Sequence, residues 1–206
     1  MDAADSAQPA VVKLLLEHGA NANAACTGQW RPRWTPLYFA MTRRDEDSVI
    51  EVAKLLLDKG ADINVRVVDL NRTEGWTPLL AAMRQEQWKL ARFLVERGAD
   101  VNAQSAALGE ASGFDLTPLM YAASAKEPEL GIFLLEKGAR IETRTVTGRT
   151  ALSFAAERGV TPFVEALLAA GANANDTDQG EFAPSGLDPE SMELGPTGGQ
   201  RREFPV

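Results

Sequence analysis

The side chains that could do chemistry are few and scattered. The chain of 206 residues holds one histidine, His18, and one cysteine, Cys26. A nucleophile needs a base within hydrogen-bond reach, and none stands near Cys26 in sequence, so its thiol reads as incidental. His18 directly precedes a glycine that closes a leucine-rich run, which is the place of a surface residue at a helix end. The acidic cluster Asp45-Glu46-Asp47 lacks the ligand spacing of a calcium loop and reads as a solvated turn between helices. Gly195-Pro196-Thr197-Gly198-Gly199 is followed by no helix whose N-terminus could hold a phosphate. A single cysteine rules out an internal disulfide and any cysteine-rich zinc site. No catalytic constellation, metal site or cofactor is therefore expected.

Charge and hydropathy narrow the class further. The 21 Lys and Arg against 29 Asp and Glu give a net charge of −8, which offers no diffuse attraction to nucleic-acid phosphates. The acidic start Met1-Asp2-Ala3-Ala4-Asp5 is unlike a secretory signal, and no apolar stretch approaches the ~20 residues that span a bilayer. The expectation is an intracellular, cytoplasmic, non-redox protein without nucleic-acid or membrane partners.

The elements that would position any recognition surface are repeats. A Gly-Ala pair closes a leucine-rich run at Gly19, Gly60, Gly98, Gly138 and Gly171. Four residues before each glycine stands a leucine (Leu15, Leu56, Leu94, Leu134, Leu167). Eight before it stand Val11, Val52, Leu90, Leu130 and Phe163. Apolar positions at −8, −4 and −3 share one helical face, so each run predicts a short amphipathic helix stopped by a left-handed glycine. Lys59, Arg97, Lys137 and His18 precede four of these glycines, where positive charge suits the helix dipole.

A second motif alternates with the first: Thr35-Pro36-Leu37, Thr77-Pro78-Leu79, Thr117-Pro118-Leu119 and Thr150-Ala151-Leu152. Threonine caps a helix N-terminus, and proline is tolerated at the first helical position. Small residues follow at Ala40, Ala82, Ala122 and Ala155, where helices could approach closely. Threonine to glycine spans 25, 21, 21 and 21 residues, the length of two antiparallel helices and a turn.

Thr-Pro-Leu-x-x-Ala, a second helix and then Gly-Ala-Asp-x-Asn, as in Gly60-Ala61-Asp62-Ile63-Asn64 and Gly98-Ala99-Asp100-Val101-Asn102, resembles the ankyrin repeat. The resemblance implies an all-α helix-turn-helix solenoid over residues 1–175, with units of roughly 1–24, 25–65, 66–103, 104–142 and 143–175. It departs from the family in two ways. Tyr38, Leu80, Met120 and Ser153 stand where a histidine is usual, so apolar packing is expected to replace that residue's hydrogen bonds. Gly138-Ala139-Arg140-Ile141-Glu142 lacks the usual Asp and Asn.

Glycine to the next threonine spans 16, 17, 19 and 12 residues, so three hairpins are elongated relative to the last. Four further residues fall within the second unit and are expected in the loop around Arg43-Arg44-Asp45-Glu46-Asp47. Met1 aligns with Met120 inside a first helix, so the first unit reads as truncated and its end as needing cover. Residues 176–206 hold 5 Gly, 4 Pro and 7 acids against 2 bases, and read as a disordered acidic tail.

The family implies a non-catalytic scaffold that binds a partner protein through its concave face and hairpins. Mapped onto this chain, that surface comprises Trp30, Arg31, Arg33, Trp34, Arg43, Trp76, Arg84, Gln85, Phe114, Leu116, Arg149 and Arg158. Trp and Arg are the side chains most often found as binding hot spots, and their partner would be acidic and partly apolar. Trp30, Trp34 and Trp76 have a second role open to them, as braces for the long hairpins. Bare ends would also permit end-to-end self-association. The alternative reading is a regulatory or recruitment segment of a larger polypeptide whose catalytic or membrane domain lies elsewhere.

Overall fold

A computed structural model describes residues 2–26, 33–67, 75–104 and 115–175. Ten α-helices follow in order among them: α1 (Asp2–Asp5), α2 (Pro9–Glu17), α3 (Pro36–Ala40), α4 (Glu46–Asp58), α5 (Pro78–Arg84), α6 (Trp88–Glu96), α7 (Pro118–Ala125), α8 (Pro128–Glu136), α9 (Ala151–Glu157) and α10 (Thr161–Ala169). The expected disordered tail lies outside the described residues.

The repeated motifs fold as local chemistry dictates. Thr35, Thr77, Thr117 and Thr150 sit in extended backbone, and each side-chain oxygen accepts from the N–H three residues on, at 3.3–3.4 Å. At Thr150 the bond is reciprocated, because the Ser153 hydroxyl accepts from the Thr150 N–H at 3.1 Å. The closing glycines have φ of +80° to +98°, which only a residue without Cβ adopts freely. The alanine after each then turns its N–H back to the leucine carbonyl five residues earlier, as in Ala61 to Leu56 at 3.0 Å and Ala99 to Leu94 at 2.9 Å. Carbonyls left unpaired at the helix end are satisfied this way, and the chain is redirected into the hairpin.

Helices pack within a pair or onto the neighbouring pair: α1, α3, α5, α7 and α9 form one row, and α2, α4, α6, α8 and α10 the other. Ala40, Ala82, Ala122 and Ala155 are fully buried where the rows meet. Tyr38, Leu80 and Met120 are buried too, so apolar packing does occupy the positions of the usual histidine. Polar continuity between units comes instead from the hairpins. Asn23 donates to the Gly60 carbonyl (2.7 Å) and accepts from the Asp62 N–H (2.7 Å). Asn64 accepts from the Asp100 N–H, and Asn102 bonds both the Gly138 carbonyl and the Arg140 N–H. Glu142 continues the ladder more weakly, accepting from the Asn173 N–H at 3.3 Å.

The four extra residues of the second unit are not a loop, contrary to the sequence expectation. They enter α4, which has 13 residues where α6, α8 and α10 have 9. Glu46 and Asp47 fall in its first turn, where acids are favoured by the helix dipole, and Glu46 accepts from the Leu90 N–H at 2.9 Å.

Candidate functional site

The hairpin bases lie at the N-terminal ends of the first-row helices, and long side chains from the C-terminal ends reach back to them along one edge, Arg84 to Trp76 and Glu157 to Arg149. Three hairpin bases are closed by backbone bonds just ahead of a capping threonine, and the one ahead of Thr117 by the Gln104 side-chain amide, which donates to the Asp115 carbonyl at 2.6 Å. The Cys26 N–H donates to the Trp34 carbonyl (2.8 Å), and the Arg33 N–H donates to the Cys26 carbonyl (3.0 Å). Val67 and Trp76 exchange two bonds at 2.9 and 3.1 Å. In the last hairpin the Thr145 N–H donates to the Arg149 carbonyl.

This pairing decides what the tryptophans do. Trp34 and Trp76 are 3% and 2% exposed, and Leu116 at the same place in the next unit is buried. The Trp34 ring meets Tyr38 and Phe39 edge-on, with centroids 4.8 and 5.1 Å apart. Expected at a contact surface, these three side chains turn inward instead. The hydrophobic gain of burying an indole against the first-row helices, about 25 cal/mol per Å² of apolar area, outweighs leaving it at the rim. Trp34 and Trp76 therefore pack inside the hairpin bases and not at the rim. Trp30, Arg31 and Phe114 lie outside the described residues.

The arginines behave differently. Arg33 is exposed at a hairpin base, as is Arg66 on the arm leading to Val67. Arg84 lies over the Trp76 ring, 4.9 Å from its centroid, with its side chain at the exposed end of α5. Arg43 is exposed at the end of the α3 turn but ion-paired with Asp5 at 2.9 Å. Arg149 is half-buried, over Phe154 at 3.9 Å and paired with Glu157. Arg158 caps α9 and is exposed. Gln85 donates to the Met41 carbonyl, and Gln87 to the Arg43 carbonyl, so both tie the second and third units together. An open groove of about 560 Å³ lies along this junction, lined by Arg44, Glu46, Arg84, Gln85, Glu86 and Gln87.

Tyr121, on α7, belongs to the same neighbourhood and is not among the residues expected from sequence. Its hydroxyl is buried with no hydrogen-bond partner among the described residues. Burial pushes its phenol up to about 12, and the nearby Arg84 charge acts in the opposite direction. A signal for it exists: the position four after the threonine is aromatic in Phe39, Tyr121 and Phe154.

The one histidine and the one cysteine do not meet among the described residues. His18 caps α2 and is exposed, with Nδ1 2.8 Å from the Leu14 carbonyl oxygen. Cys26 is a half-buried free thiol. Among the described residues no three His, Cys, Asp or Glu side chains cluster to hold a metal ion, and no helix is long and apolar enough to cross a membrane.

Stacked helix pairs, threonine caps and a row of hairpins define a helical-repeat solenoid with an exposed polar edge. A family model described as ankyrin repeats (three copies) matches residues 1–105 and again 106–178, and the chain belongs to the ankyrin repeat family. Ankyrin repeats are in general protein–protein interaction modules. No curated protein matches this chain.

Proposed function

We propose that this protein is a non-catalytic scaffold that binds a partner protein through the edge formed by its hairpins and first-row helix ends. The observation that carries the reading is the contrast between buried indoles and exposed guanidiniums. Trp34 and Trp76 pack inside the hairpin bases, while Arg33 and Arg66 stand outside on that backbone and Arg84 at the exposed end of α5. Arg84 is also held by its stacking on Trp76. A preordered guanidinium loses less conformational entropy on binding and presents a planar fork to a carboxylate. The matching partner surface carries carboxylates, with apolar area between them.

Pull-down from cell extract tests this with wild type beside an Arg33→Glu, Arg66→Glu, Arg84→Glu variant. Truncating the tryptophans would confuse lost binding with lost fold, whereas exposed arginines leave the core intact. The expected result is an unchanged circular dichroism spectrum with loss of specific wild-type partners. A folded variant that retains every wild-type partner refutes the edge.

A further inference from the structure

The interfaces between units follow one rule of register. In each second-row helix the residues eight and four before the closing glycine face the preceding unit, and those seven and three before it face the following one. The contact of Gly131, seven before Gly138, with Phe163, eight before Gly171, fixes that register directly. Burial obeys it: Val52 and Leu56 are covered by the first unit, and Leu90 and Leu94 by the second. At the two ends three of these positions are exposed and the fourth, Val164, is half-buried. Val11 and Leu15 on α2 are 41% and 45% exposed, and Leu168 on α10 is 40% exposed.

We propose that these two end faces bind each other, so that a second copy of this chain stacks head to tail and continues the array. The faces match an interface already present in the fold. Joining them sets Val164 against Val11 and Leu168 against Leu15. The first internal interface carries the same pairs, Val12 with Val52 and Leu16 with Leu56, and Val12, Val52, Leu16 and Leu56 are all buried there. The polar ladder extends in the same register. Asn175 has the folded-back turn of Asn23, Asn64 and Asn102, with its N–H donating to Asn173 Oδ1 at 3.0 Å. Its side chain stands where it would reach the Gly19 carbonyl and the Asn21 N–H of the next copy, as Asn23 reaches Gly60 and Asp62. Such a contact uses different surfaces on the two partners, so it extends along the array unless its rotation closes a ring.

Sedimentation velocity of the full chain, from about 10 μM to about 1 mM, tests the proposal. Wild type should gain mass with concentration. Leu15→Glu and Leu168→Glu alter exposed positions, so each should stay folded and each alone should remain monomeric, its association weakened by about a hundredfold or more. Mixed in equal amounts, the two variants should form a complex of two chains and no larger, because each supplies the face the other lacks. A wild type that stays monomeric overturns the proposal, as does a mixture that stays monomeric. Association of either variant alone at wild-type strength overturns it too, by placing the contact on another surface. If Leu168→Glu destabilises a monomeric chain, residues 176–206 cover that face and the second copy does not.

Discussion

Gly131→Ala puts a number on how tightly the last two units fit. Gly131 lies within α8, and a Cβ built on it would meet Phe163 ring carbons at 2.3, 2.5 and 2.8 Å. Carbon pairs prefer roughly 3.5–4.0 Å, so the closest approach falls short by about 1 Å or more. Phe163 is fully buried and cannot swing aside into solvent. The overpacking should cost about 2–3 kcal/mol, and improved helix propensity should return about 1, leaving a net loss of about 1–2 kcal/mol. The control is Phe163→Leu, which removes the ring carbons that collide and should by itself cost about 1–2 kcal/mol. In that background Gly131→Ala should become stabilising, since Ala with Leu then occupies the positions that Ala53 with Leu90 and Ala91 with Leu130 hold in the preceding interfaces. Urea unfolding of the four proteins gives a double-mutant cycle with an expected coupling of about 2–3 kcal/mol. If Gly131→Ala stabilises the wild-type background as much as the Phe163→Leu background, the Phe163 ring does not constrain α8 and the reasoning fails.

Three other outcomes follow from the same contacts. Glu142→Asn should restore the shorter side chain used elsewhere in the ladder and raise stability by about 0.5–1 kcal/mol, measured by the urea midpoint; no gain would mean that the Glu142 bond is already equivalent. Trp76→Ala should cost about 3–5 kcal/mol in stability, as for a buried aromatic, and an unchanged melting temperature would return this indole to the surface. Tyr121 is protonated more tightly folded than unfolded, so its contribution is fully present below pH 10 and is lost as pH rises from 10.0 toward about 12. Stability measured across that range should decline less steeply in Tyr121→Phe than in wild type, and parallel curves would show that the phenol's burial does not matter.

Much of the fold is legible in the sequence because its signals are local. Threonine caps, proline at the first helical turn and glycine stops each act within a few residues, and their recurrence gives the order of the helix pairs. The extra turn of α4 is not legible, because Asp45-Glu46-Asp47 suits both a solvated loop and an acidic helix start, and nothing in composition separates the two. The binding edge is legible by residue type and not by orientation. Trp34 and Arg33 are neighbours in sequence, yet a two-bond hairpin base turns one inward and leaves the other in water. Glu142 departs visibly from the Asn pattern, but its substitution for Asn in the ladder depends on an amide 31 residues away.

The pairing of Gly131 with Phe163 also bears on how freely the units could be exchanged. Excising the third unit would bring Ala53 against Leu130, a combination of sizes the array already accommodates. Excising the fourth would press Phe163 against the methyl group of Ala91, the same overpacking as in Gly131→Ala, and would seat the last unit less tightly. Thermal melting of the two shortened chains should therefore rank them in that order. Units that look interchangeable by motif are in this respect keyed, and the final one has a single best-fitting predecessor within the molecule.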